Sequence, residues 1–205
     1  MTNQDQFPRT IVGGVSLPRL LVGTNWFLGW SHTSLAKDNF IKEYQTRKRI
    51  IAMLSVFLEY GIDAVMAPLS PHLDESIREV EQKTGQRIIR IYTPSFDLNP
   101  EAAPADRAEA VFDHCAELGA TFCMPHQCVT DALLDRRAGV IRDLDVYTRM
   151  IRARGMIPGL STHMPEAVVY ADKQNADVET YIQLYNAAGF LLQVDSPDIG
   201  MGRHT

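Results

Sequence analysis

The chain has 205 residues, 45% of them hydrophobic and 22% charged, which marks a globular protein with one sizeable core rather than a disordered one. Its formal net charge of −5 excludes the basic footprint of a protein that binds nucleic acid or an anionic membrane. No run reaches the roughly 18 apolar residues of a membrane span. The opening "MTNQDQFPRT" lacks the apolar core of a secretion signal, and three cysteines are too few for a disulfide framework. A reduced, cytoplasmic setting and a small-molecule ligand are therefore expected.

From the N-terminus, "TIVGGVSLPRL" predicts a short hairpin around Gly13 and Gly14, within an arm of residues 1–18. "RLLVGT" follows as the first strand, with Asn25 at its end. Trp26, Phe27 and Trp30 come next, able to stack on a planar ligand or to cover a rim. "SHTSLAKDNF" offers Ser31, Thr33, Ser34 and Asp38 as helix caps beside His32. A helix within 39–60 places Ile50, Ile51, Leu54, Phe57 and Leu58 at helical spacing, and Gly61 follows. Its basic cluster, Arg47 to Arg49, reads as a solvated face. "IDAVMAPL" is the second strand, with Ser70 and His72 after it. A second helix, about 74–84, ends before Gly85, and "RIIRIY" is the third strand, followed by Thr93 and Ser95.

The beat continues. A helix at about 105–118 carries Ala108, Val111, Phe112, Cys115 and Leu118 on one stripe; Gly119 and "ATFCMP" follow, then His126 and Gln127. A helix at about 140–153 leads through Gly155 to "MIPGL" and then Ser161, Thr162 and His163. A fifth, at about 177–188, leads through Gly189 to "FLLQV" and Asp195. Each Gly suits the left-handed position just past a helix. Each apolar run is short and continuous, as in a parallel strand covered on both faces. Six strands alternate with five helices, the signature of repeated βαβ units.

A doubly wound sheet and a barrel both alternate in this way. "GTNWFLGW" lacks the glycine spacing of a dinucleotide fingerprint, and polar residues follow most strands rather than one switch point. The expected fold is thus an α/β, TIM-type (β/α) barrel, apparently incomplete, with units one to six over residues 19–195 and a tail over 196–205. Open strand edges would invite a homo-oligomer.

Four motifs carry a family resemblance. "SLPRLLVGT" resembles the opening strand of the aldo-keto reductases, and "LEYGIDAV" their helix, Gly and second strand. "PGLSTHMPE" resembles their fifth strand, and "LLQVD" the sixth-strand Gln motif. The resemblance implies that Ser161, Thr162 and Gln193 hold the nicotinamide of NADP or NAD. It also implies that His126, after the fourth strand, is the catalytic His. The family's Asp and Tyr after the second strand and its Lys after the third have no match in "AVMAPLSPHLDES" and "RIIRIYTPSF". The expectation is a barrel protein acting as an oxidoreductase on a small polar molecule. His126 and His163 are the catalytic candidates, and Asn25, Trp26, His32 and His72 the substrate-binding ones.

Two other chemistries compete. His126, His163 and Glu166 could bind a divalent metal, for a metal-dependent hydrolase, lyase or isomerase on the same rim. Cys128 could be a nucleophile activated by His126 or His163. C-x2-H-x-C at Cys123, His126 and Cys128 is a weak zinc pattern, because strand alternation sets Cys123 and His126 on opposite faces. A non-catalytic barrel fragment is the remaining reading.

Overall fold

The computed structural model describes residues 7–185 together with 187 and 189, and they fall into two units divided between Ile91 and Tyr92. In the first unit, β1 (Arg9–Val12) and β2 (Val15–Pro18) pair antiparallel with Val12 opposite Val15. Gly13 and Gly14, at φ 54° and 82°, form the two-residue turn, since both central positions of such a turn need positive φ. Arg9 anchors this hairpin by donating to the Asp63 carboxylate at 2.9 and 3.2 Å and to the Gly61 carbonyl at 3.0 Å.

β3 (Val22–Gly23) leads into the single turn α1 (Asn25–Leu28), then α2 (Leu35–Tyr44) and α3 (Arg47–Glu59). Where the periodicity predicts one helix there are thus two, broken at Gln45 and Thr46. Ser34 caps α2 by accepting the Lys37 N–H at 3.3 Å. β4 (Ala64–Ala67) lies parallel to β3, with Val22 opposite Val65. α4 (Pro71–Thr84) starts with Pro71 in its first turn and Ser70 as cap, and ends at Gly85. β5 (Ile89–Tyr92) enters beside β4, Ile89 donating to the Asp63 carbonyl at 2.7 Å. Ile50 and Leu54 of α3, Leu73, Ile77 and Val80 of α4, and Ala64 and Val65 of β4 are buried and form this unit's core.

The second unit opens at Tyr92. It runs through a 3-10 turn (Pro104–Asp106), α5 (Ala108–Glu117), β6 (Phe122–Cys123), α6 (Gln127–Ala132) and a two-residue hairpin pair, β7 (Leu134–Asp135) with β8 (Val140–Ile141). α7 (Leu144–Ala153), β9 (Ile157–Pro158), β10 (Leu160–Thr162), α8 (Pro165–Lys173) and β11 (Tyr181–Gln183) follow. Backbone hydrogen bonds set four extended segments side by side. Met124 donates to Tyr92 and His126 to Pro94, both at 2.9 Å; Gly159 donates to Cys123 at 3.2 Å and Ser161 to Pro125 at 3.3 Å; β10 and β11 pair in parallel, Thr162 opposite Gln183. The helices bury Phe112, Cys115 and Ile151 over Phe122, Cys123, Met156 and Leu160, none more than 2% exposed. Phe96 meets Phe112 edge-on at 5.3 Å.

The stretch predicted as a fifth helix, about 177–188, is a correction: Tyr181, Ile182 and Gln183 form β11 instead. Aromatic and β-branched side chains favour the pleated surface, and the open edge of β10 is there to receive them. The helix of this βαβ unit comes earlier, as α8, with Pro165 at its first position. The expected sixth strand "FLLQV", with Gln193 and Asp195, lies outside the described residues. No helix among the described residues is long and apolar enough to cross a membrane.

Gly159 separates β9 from β10 in a tight seat. A Cβ there would stand 2.9 Å from the Thr180 carbonyl oxygen and 2.7 Å from the Met124 side chain. Met124 can yield, but the backbone of Thr180 cannot without disturbing the Leu160 N–H···Thr180 hydrogen bond. Gly159→Ala should therefore destabilise the fold by about 1–3 kcal/mol, an overpacking cost read from urea unfolding midpoints.

Candidate functional site

The ends of the extended segments in the second unit deliver Ser95, His126, Cys128, Ser161, Thr162, His163 and Gln183. His126 ends the β6 run and serves as the cap of α6, so the strand-to-helix transition itself aims its ring. Its Nδ1 accepts the Cys128 backbone N–H at 3.4 Å and lies 3.1 Å from Cys128 Sγ, which is 3.5 Å from Ser95 Oγ. Because Nδ1 is an acceptor here, the neutral ring carries its proton on Nε2. Burial, and then the adjacent His163 imidazole, push His126 down to about 4. His126 is therefore neutral at pH 7, with an N–H to donate.

His163 is placed by a carboxylate on another element. Asp131, in α6, accepts the Thr162 hydroxyl at Oδ1 and the His163 backbone N–H at Oδ2, the latter at 3.1 Å. The Thr162 hydroxyl also accepts the Met164 N–H at 2.9 Å. Thr162 is thus 1% exposed and its hydroxyl is occupied within the protein, whereas Ser161, 8% exposed, is committed only through its backbone N–H, to Pro125, among the bonds described. Gln183, opposite Thr162 on β11, has both side-chain amide atoms buried with no hydrogen-bond partner. Orphaned buried amides are rare, so both atoms of Gln183 are open to a partner.

The structure brings His126, His163, Ser161 and Thr162 into one unit, as the sequence reading requires. The substrate-binding candidates lie in the other unit and are described there. Asn25 Nδ2 is 2.9 Å from His32 Nε2, and His32 holds a left-handed backbone at φ 55°. Trp26 is exposed beneath the Lys37 ammonium, 5.1 Å from the ring centroid. His72 is exposed in the first turn of α4.

The metal alternative finds no support. Glu166 is engaged by Arg136 at 2.9 Å, and among the described residues no three His, Cys, Asp or Glu side chains come together as a metal-binding group. The zinc pattern fails for a separate reason: Cys123 is buried against Cys115, whose thiol hydrogen bond together with desolvation holds the Cys123 thiol well above its ordinary value. Asp131 and Gln183 are the residues sequence reasoning missed. Gln183 had a signal, a Gln closing the strand-like run "YIQ". Asp131 had none, because its partners are 31 and 32 positions away.

No protein-family model matches the chain, and no curated protein matches it with significance. Among solved structures it is similar to an aldo/keto reductase from Brucella melitensis, with 12% identity, a TM-score of 0.47, and 86% of this chain and 62% of that one covered. It is also similar to a protein provisionally named 2,5-diketo-D-gluconic acid reductase B, with 13% identity, a TM-score of 0.52, and 98% of this chain and 65% of that one covered. The chain spans less than two thirds of the length of either. At such identities the second likeness shows the fold alone: an α/β chain of the TIM-type barrel class, of which part is present. The resemblance read from the sequence holds at that level.

The buried neutral His126 makes stability depend on pH. Its folded-state value of about 4 lies below the ordinary 6.5, so the unfolded chain binds more protons between those values. The contribution is complete above about pH 6.5 and is lost as pH falls toward 4, on the order of 3 kcal/mol across the window. Urea unfolding at about pH 7 and about pH 5 should show the loss in the wild type, and a smaller one in His126→Gln.

Proposed function

We propose that this is an aldo-keto reductase-like barrel protein, an oxidoreductase acting on a small polar molecule that carries a carbonyl group. The observation that carries the reading is His126: a desolvated, neutral imidazole at the end of the fourth parallel segment, with Nδ1 occupied as an acceptor and Nε2–H left to donate. Such a donor, aimed at a carbonyl oxygen, polarises it and stabilises the negative charge that develops there. A charged imidazolium would bind the oxygen as well but would cost more to bury. His163, held at the end of β10 through Asp131, lines the same neighbourhood and favours the neutral state of His126.

A nicotinamide dinucleotide, when bound, supplies the hydride. Gln183 suits its carboxamide, offering an unpartnered buried amide, donor and acceptor together; Ser161, next to Thr162 on β10, faces the other side of the sheet from Gln183 and would meet a different part of the ligand. Thr162 supports the site from behind, since its own hydroxyl is engaged by Asp131 and Met164. The family's Tyr and Lys have no counterpart, so His126 would carry the polarisation alone.

Calorimetric titration of the full chain with NADPH and with NADH tests this reading. Saturable binding of one of them is expected, weakened about tenfold or more in Gln183→Leu, where a buried pairing is lost. Absence of binding by both in a folded wild-type protein would sink it.

A further inference from the structure

Cys128 is not used by the carbonyl-polarising reading, yet it touches the same imidazole on its other nitrogen. Its Sγ lies 3.1 Å from His126 Nδ1 and 3.5 Å from Ser95 Oγ. It is half-buried, while Cys115 and Cys123 are buried. The single lone pair of Nδ1 faces both the Cys128 backbone N–H, at 3.4 Å, and the closer thiol. A nucleophile within hydrogen-bond reach of a base, with that base oriented by a third group, is the arrangement of covalent catalysis. Here the backbone N–H of Cys128 orients the ring.

We propose that Cys128 is a nucleophile with His126 as its base, and that it adds to the carbonyl carbon of a small aldehyde. The sulfur–carbon bond forms as the S–H proton passes to Nδ1, and the π pair of the C=O bond moves onto oxygen. Nδ1 then returns that proton to the oxygen. The product is a thiohemiacetal, the imidazole is neutral again, and the reverse path releases the aldehyde. An aldehyde is the class that fits, because no leaving group has to depart or be protonated and one proton-carrying nitrogen serves both halves of the step. The inference goes beyond the oxidoreductase reading and needs no nucleotide.

Iodoacetamide labelling of the full chain, followed by intact-mass and peptide mass spectrometry, tests it. The buried Cys115 and Cys123 serve as internal references. Near pH 6.5 one adduct should form, on Cys128, about tenfold or more faster than on N-acetylcysteine, which has no base beside its thiol. Cys128→Ser should abolish it, His126→Gln should bring it to the rate of the free thiol, and prior incubation with acetaldehyde should slow it in the wild type. A wild-type Cys128 that reacts no faster than N-acetylcysteine overturns the Cys–His pair, and this comparison depends on no variant folding. A fast thiol that acetaldehyde does not protect overturns the addition step. Both results are independent of whether NADPH or NADH binds.

Discussion

The carboxylate of Asp131 joins two elements that the chain itself does not bring together. With one oxygen it accepts the Thr162 hydroxyl, and with the other the His163 backbone N–H. A half-buried carboxylate bonded to two donors holds both elements more firmly than either bond alone, because both of its oxygens are engaged. The consequence is positional. α6 begins at His126 and carries Asp131 one turn on, so the same short helix fixes His126 by its start and His163 by its side. Burial, and then the nearby second imidazole, keep the first in its neutral form. Geometry at the site is therefore set by one helix of 6 residues read from both ends.

The two nitrogens of His126 divide the chemistry. Nδ1 faces Cys128, and Nε2 is left to donate. A ring held this way has a hydrogen-bond donor on one side and an acceptor nitrogen on the other. A fold of the aldo-keto reductase kind does not dictate which use is made of it, because function resides in the site. In this chain a thiol stands beside the His.

Much of the fold was legible because parallel α/β architecture repeats a local rule. Apolar stripes at helical spacing end at Gly, and Gly85 and Gly119 do adopt positive φ just past their helices. The hairpin at Gly13 and Gly14 was legible for the same reason, since a two-residue turn demands particular residues. Segments whose structure is decided by distant partners were not. The run 177–188 has enough apolar content to suggest a helix, but Leu160 to Thr162 offer an open edge and the chain pairs with it. The small hairpin of β7 and β8 was missed because its two-residue strands are held from outside: Gln174 of the segment after α8 bonds both the N–H and the C=O of Ile141. The positions of His126 and His163 at segment ends were legible because strand-end position is a sequence property. Asp131 was not, because a helix residue that bonds across 31 positions leaves no local trace.

The approach to β11 has its own logic. Arg152, on α7, grips Asp177 at 2.6 Å and Glu179 at 2.7 Å, the two acids on the way into that strand, while Arg154 of the same helix end holds Asp113 of α5. This connector is fastened by partly exposed charge instead of grease. Added electrolyte would loosen it selectively: amide protons between 174 and 180 would trade with solvent faster in brine, while those under Phe112 kept their protection. Ionic strength then bears on this connector and leaves the core as it was.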